Sequence, residues 1–245
     1  MQKTAFVSGS SRGIGKAITK ELLVQEYNVI GTYHNTKIDS IIVGNDLFTS
    51  INVDLSDVTS LKQNIHSLFT KNGAPEIIVN NAGISIEQEV TSDDDRWLKS
   101  WDRTHNINLK APALIGKWAI SNWLENNTQG IIINISSRAG HRGDTAPFLS
   151  YAATKGGLSA VTKTIARSYG KEGITAFDVA PGFVETDMMK EVKQQYPEGY
   201  IEDELALSSM VQPADVGKLV AFIASGEAKH LTGQTLHINS GSHIW

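Results

Sequence analysis

Short apolar runs recur along the chain, and most are followed by longer stretches with helical spacing. The runs are Thr4–Val7, Asn28–Tyr33, Phe48–Val53, Glu76–Val79, Gly130–Ile135, Thr175–Val179 and Thr235–Ile238. Between them, apolar residues recurring every three or four positions predict helices over Gly13–Gln25, Val58–Asn72, Trp97–Asn126, Tyr151–Gly170 and Pro213–Ala224. In the first helix Ile14, Ala17, Ile18 and Leu22 share one face. Strands alternating with helices imply βαβ units, hence a parallel sheet covered on both faces. A continuous run such as GIIINI suits a strand buried on both sides. The expected fold is α/β, a doubly wound parallel sheet of about seven strands in one domain over residues 1–245.

The pattern breaks between Glu185 and Met210, where methionines and acidic residues mix around a Tyr-Pro-Glu-Gly turn at Tyr196–Gly199. A long irregular segment in a compact domain is often a functional cover, so 185–210 is the candidate substrate lid. An apolar content of 40% is enough for a large core. The net charge of −4, with lysines and arginines scattered, provides no footprint for nucleic acid. Without cysteines there are no disulfides and no thiolate nucleophile. The seven histidines show no HxH or HxxxH spacing, so no metal site is expected. Three residues precede the first strand and no apolar run approaches membrane-spanning length, so the expectation is a soluble cytoplasmic protein with no membrane partner.

The first strand runs into SGSSRGIG, Ser8–Gly15, and then directly into a helix. A helix start offers unpaired N–H groups and the positive end of the helix dipole, and glycines let a phosphate approach them. The turn Gly9, Ser11, Arg12, Gly13, Ile14, Gly15 has GxxxGxG spacing, not the commoner GxGxxG. Arg12 adds a cation where the backbone already favours an anion, which suits a second phosphate such as the 2′-phosphate of NADP. An NAD site usually has an acid about 20 residues beyond the glycines. Here GTYHN, Gly31–Asn35, has none before Asp39, and Thr32, His34 and Asn35 are hydrogen-bonding candidates. The cofactor expected is NADPH.

Tyr151 and Lys155 stand four apart at the start of a predicted helix, so they share a face. A neighbouring ammonium stabilises phenolate and lowers a tyrosine pKa, which fits Tyr151 for acid–base work. Upstream, IIINISS delivers Ser136 and Ser137 to the carboxyl edge of the sheet, where ligands bind in such folds.

With these motifs in order, the sequence resembles the short-chain dehydrogenase/reductase family along essentially its whole length, which implies a Rossmann-like fold. The glycine motif matches Gly9, Gly13 and Gly15, with Ser8 where threonine is common. NNAG stands at Asn80, Asn81, Ala82 and Gly83, and a PG followed by threonine at Pro181, Gly182 and Thr186. The resemblance implies that Tyr151 protonates the substrate oxygen, Lys155 binds the nicotinamide ribose and lowers the tyrosine pKa, and Asn108 holds a water in the proton relay. It assigns Asp54 to adenine, with Leu55 beside it, and adds Val184 to the cofactor set. Ser137, fourteen residues before Tyr151, is favoured over Ser136 to orient the carbonyl, although this spacing is one residue longer than usual. Asn108 as a polar helix residue and Asp54 as a helix cap are the plainer alternatives.

Within the family, NNAGIS, INLKAP and LTGQTLHINSG resemble the 3-oxoacyl-acyl-carrier-protein reductases. This implies NADPH-dependent reduction of a ketone to a secondary alcohol in a homotetramer or homodimer. An acyl carrier protein is a possible partner, with Arg138 and Arg142, assisted by Lys190 and Lys193, as its basic contacts. The acidic residues of the lid keep sugars, polyols, steroids and small ketones open as substrates. An NAD-dependent alcohol dehydrogenase and a non-catalytic nucleotide sensor are the rival readings. Trp97 and Trp101, four apart, are read first as core and second as a subunit interface.

Overall fold

The computed structural model describes residues 2–187, 189 and 197–244. Seven parallel strands form one sheet in the order β3-β2-β1-β4-β5-β6-β7. They are β1 Thr4–Val7, β2 Asn28–Tyr33, β3 Phe48–Asn52, β4 Ile77–Asn80, β5 Gly130–Ile135, β6 Ile174–Pro181 and β7 Thr235–Ile238. The helices are α1 Gly13–Val24, α2 Ser40–Val43, α3 Val58–Leu61, α4 Ser67–Asn72, α5 Asp94–His105, α6 Ala111–Glu125, α7 Ala139–Arg142, α8 Leu149–Tyr169, α9 Tyr200–Glu204 and α10 Pro213–Ser225. Successive strand residues face opposite sides, and this splits the core in two. Ala5, Val7, Ile77, Val79 and Ile133 pack under α1 and α10 with Ile18, Leu22, Val216 and Val220. Phe6, Ile78 and Ile132 face the other way, onto Ile65, Phe69, Ile115 and Trp123.

Two expected helices contain an irregularity. The helix over Val58–Asn72 passes through a π-turn at Lys62–His66, and the one expected at Trp97–Asn126 has a π-turn at Asn106–Lys110 that separates α5 from α6. The second begins earlier than expected, at Asp94, because the Asp93 carboxylate accepts a hydrogen bond from the Arg96 amide. The long helix α8 also begins earlier than expected, at Leu149. The short helices α2, α7 and α9 span only four or five residues, too few for a periodicity to reveal them.

Because β2 and β4 flank β1, the chain leaves the sheet in opposite directions on either side of it, and a crevice opens at the carboxyl edge. The excursion after β6 is tied at its base by a parallel bridge between Val184 and Val211. Of the expected lid, 188 and 190–196 lie outside the described residues, and with them Lys190 and Lys193. Among the described residues, no helix is long and apolar enough to cross a membrane.

Candidate active site

A cleft of about 450 Å³ runs along the carboxyl edge of the sheet. Its first wall is the glycine turn, with Gly9, Ser11, Arg12, Gly13, Ile14 and Gly15 all on its lining. Gly9 and Gly13 have φ of +72° and +52°, a region that disfavours side chains. A Cβ on Gly15 would stand 2.1 Å from the Gly9 carbonyl oxygen, so only glycine lets the helix start so close to the strand. The turn is sewn to β4 by a reciprocal pair. The Ser8 hydroxyl accepts from the Asn81 and Ala82 amides, both at 3.0 Å, and Asn81 Nδ2 donates to the Ser8 carbonyl at 2.9 Å. Asn81 thus lines the cleft as a brace, with Ala82 and Gly83 beside it. Among the described residues the Arg12 side chain does not cap the start of α1, where Gly13, Ile14 and Gly15 line the cleft.

His34 and Asn35 line the far end. Thr32 is on the lining too, largely buried, and its hydroxyl accepts from the Gly9 amide at 3.0 Å, so it also holds the turn. Arg12 is exposed at the mouth, with no ion pair among the described residues. The first acid after β2, Asp39, is held by Lys16 at 2.6 Å and stays off the cleft lining. Asp54 and Leu55 do line it. Burial works against the Asp54 carboxylate, but the Ser56 hydroxyl and amide outweigh that and hold its pKa below the ordinary range.

The second wall carries Ser137, Tyr151 and Lys155, with Pro181, Gly182, Val184 and Thr186 closing the floor. Both serines touch the cleft, but their hydroxyls are placed differently. Ser136 is buried with its hydroxyl on the Val179 carbonyl, whereas Ser137 faces the cleft, hydrogen-bonds the Tyr151 hydroxyl and accepts from the Ala139 amide at 3.1 Å. Lys155 Nζ lies 5.7 Å from the Tyr151 ring centroid and donates to the Ile135 carbonyl at 2.7 Å. Burial pulls the Lys155 pKa down to about 8, against the opposing charge of Asp178. Burial also pushes the Tyr151 phenol up, with the Ser137 hydrogen bond opposing it. The expected lowering of the Tyr151 pKa by Lys155 is not the direction found in the protein alone, where burial raises it.

Asn108 lies behind the lining, fully buried in the π-turn. Its Oδ1 accepts from the Ile84 amide at 2.9 Å and its Nδ2 donates to the Ile84 carbonyl at 2.8 Å and to Thr154. The side chain therefore locks the loop after β4 against the helix that carries Tyr151.

The sequence did not announce a polar rung crossing the sheet beneath this site. Asn80, Asn134, Asp178 and Thr235 stand in register on four neighbouring strands. Asn80 donates to Asn134, Asn134 to Thr162 on α8, and Thr235 to Asp178, which also meets His141 at 3.3 Å. Strand periodicity places these residues on one face, but only the sheet order brings them together. Arg103, Phe148 and Phe183 also line the cleft without a local motif.

A family model described as Enoyl-(Acyl carrier protein) reductase matches residues 9–243. The 3-oxoacyl-acyl-carrier-protein reductase FabG of Staphylococcus aureus is 34% identical over all of this chain and 99% of its own length. The chain belongs to the short-chain dehydrogenase/reductase family. Other members bearing the same name, from Vibrio harveyi and Rickettsia felis, are each 33% identical over nearly the full length of both chains. A solved family structure, 4-hydroxyisoleucine dehydrogenase complexed with NADH, superposes with a TM-score of 0.89 at 26% identity, covering 98% of each chain. The protein is thus a short-chain dehydrogenase/reductase oxidoreductase with a Rossmann-like fold.

The residues present fit a dinucleotide: a glycine cradle that a single Cβ would fill, a helix start that the Arg12 side chain does not cap, and polar groups at both ends of the cleft. Among the described residues, no group of three or more histidine or acidic side chains is placed to hold a metal ion.

Proposed function

We propose that this chain is an NADP(H)-dependent reductase that converts a ketone to a secondary alcohol. The observation that carries the reading is the placement of Tyr151 beside Ser137 and Lys155 at one end of a cleft whose other end is the glycine turn. The turn from Gly9 to Gly15 receives the phosphates, and Arg12, His34 and Asn35 receive the 2′-phosphate, with no carboxylate in the lining stretch Thr32–Thr36 to repel it. Asp54 takes the adenine end and Lys155 the nicotinamide ribose. When bound, the dihydronicotinamide supplies a hydride to the carbonyl carbon.

The chain's own groups handle the oxygen. Ser137 orients the carbonyl, and as the C=O π pair moves onto oxygen Tyr151 transfers its proton there. The resulting phenolate is stabilised by the Lys155 ammonium and regains a proton from solvent. The described part of the segment 185–210, tied at Val184 and Val211, forms the base of a cover over this end. The names of the relatives make a 3-oxoacyl thioester the first ketone to try.

The deciding experiment measures NADPH and NADH consumption by the purified protein against acetoacetyl thioester, small ketones and oxidised sugars, with Tyr151→Phe as control. Tyrosine-dependent turnover with NADPH is the expected result. Turnover that persists in Tyr151→Phe refutes the mechanism, and a preference for NADH refutes the cofactor assignment.

A further inference from the structure

Arg138 directly follows the cleft serine, and Arg142 lies one turn further, at the end of α7. Both line the cleft, Arg138 almost wholly buried and Arg142 29% exposed. The Arg138 side chain is only 7% exposed, with its guanidinium 3.8 Å over the Phe183 ring. Burying a guanidinium there is costly when an apolar side chain would pack against Phe148 and Phe183 without desolvation.

The protein's own partners do not use up these cations. Arg138 Nη1 donates to Glu204 Oε2 at 3.3 Å and to the Ser242 carbonyl at 3.4 Å. Arg142 Nη1 donates to the same Glu204 oxygen at 2.9 Å. A guanidinium has five N–H donors. Among the described residues, Nη1 is the one nitrogen of each guanidinium with a hydrogen-bond acceptor, so two forks share a single carboxylate oxygen. Asp144, also on the lining, is raised above the ordinary carboxylate range by burial, against the Thr145 amide and the charges of Arg142 and Arg138, and makes no ion pair with either arginine among the described residues.

From this wall we infer that the substrate is an oxo acid, a ketone whose own carboxylate is received by the forks of Arg142 and Arg138 beside the carbonyl position at Ser137 and Tyr151. Planar bidentate recognition of a carboxylate is what guanidinium geometry serves best. The inference rests on the ketone-reductase reading and selects a small acid within it in place of a thioester. The reaction keeps its balance: hydride to the carbonyl carbon, proton from Tyr151 to the oxygen, the carboxylate unchanged.

The test is a panel of 2-, 3- and 4-oxo acids of four to six carbons, each paired with its methyl ester, alongside acetoacetyl thioester. Losing a charge-assisted contact costs about 10- to 100-fold. At least one acid should exceed its ester by that factor in kcat/KM. The acid-to-ester ratio should collapse in Arg142→Gln, mainly through KM, while Arg142→Lys, which keeps the charge, should retain part of it. Calorimetry with Tyr151→Phe loaded with NADPH gives a readout without turnover: the preferred acid should bind and its ester should bind more weakly. Esters that equal their acids, or thioester reduction with no acid reduced, would overturn the oxo-acid assignment and leave the ketone-reductase reading standing. If no carbonyl compound on the panel is reduced, both fall.

Discussion

Replacing Lys155 with methionine removes a buried titrating group, and the effect on folding has a sign and size that follow from burial. Lys155 is 4% exposed, and its pKa falls from 10.5 to about 8 in the folded protein. Below about pH 8 both folded and unfolded chains carry the charge, and the folded state bears the full cost of burying it. Between about 8 and 10.5 the unfolded chain binds more protons, so stability rises with pH. At about 1.36 kcal/mol per pKa unit, the cost is roughly 3 kcal/mol at pH 7 and about 1 kcal/mol at pH 9.5. Urea unfolding of both proteins at the two pH values isolates this contribution, because titrating groups that do not interact with Lys155 cancel in the difference. The stability of wild type relative to Lys155→Met should improve by about 2 kcal/mol on going from pH 7 to pH 9.5. A difference independent of pH would show that Lys155 titrates near its ordinary value in the folded chain and would refute the burial argument. The same titration predicts a kcat/KM that falls above about pH 8, as the ammonium beside Tyr151 is lost in the free enzyme.

Tyr151→Phe should lower kcat by about 10²- to 10⁴-fold, the usual worth of a positioned acid, while NADPH fluorescence titration shows binding largely retained. Arg12→Ala should weaken NADPH by roughly 10- to 100-fold and leave NADH nearly unaffected, as judged by the ratio of their dissociation constants. An equal loss for both cofactors removes Arg12 from the 2′-phosphate. Gly15→Ala should cost about 3 kcal/mol or more in denaturant unfolding, because its Cβ would fall 2.1 Å from the Gly9 carbonyl oxygen and rigid backbone cannot retreat. Ser137→Ala should reduce turnover well beyond Ser136→Ala, since the Ser136 hydroxyl is engaged by the Val179 carbonyl.

The sequence by itself determined the class of fold and the positions at which chemistry gathers. Strand and helix periods reflect how the backbone presents side chains to a core, so they are written locally: seven strands, five long helices and the turn Ser8–Gly15 were legible from neighbours a few residues apart. Tyr151 and Lys155 were legible for the same reason, because one helical turn is a local distance. Their ionisation was not, since the raised phenol and lowered ammonium come from burial by residues distant in sequence. The internal partners of individual polar groups were hidden in the same way: the Thr32 hydroxyl braces Gly9, and Asn108 is fixed on Ile84. Arg138 shows the limit most clearly. In sequence it is a loop arginine beside a serine; only when α9 brings Glu204 and the end of β6 brings Phe183 against it does it become a buried cation on the wall of the cleft. Charge and period can be read along a chain, but desolvation and partnership depend on which segments meet, and the tertiary structure alone decides that.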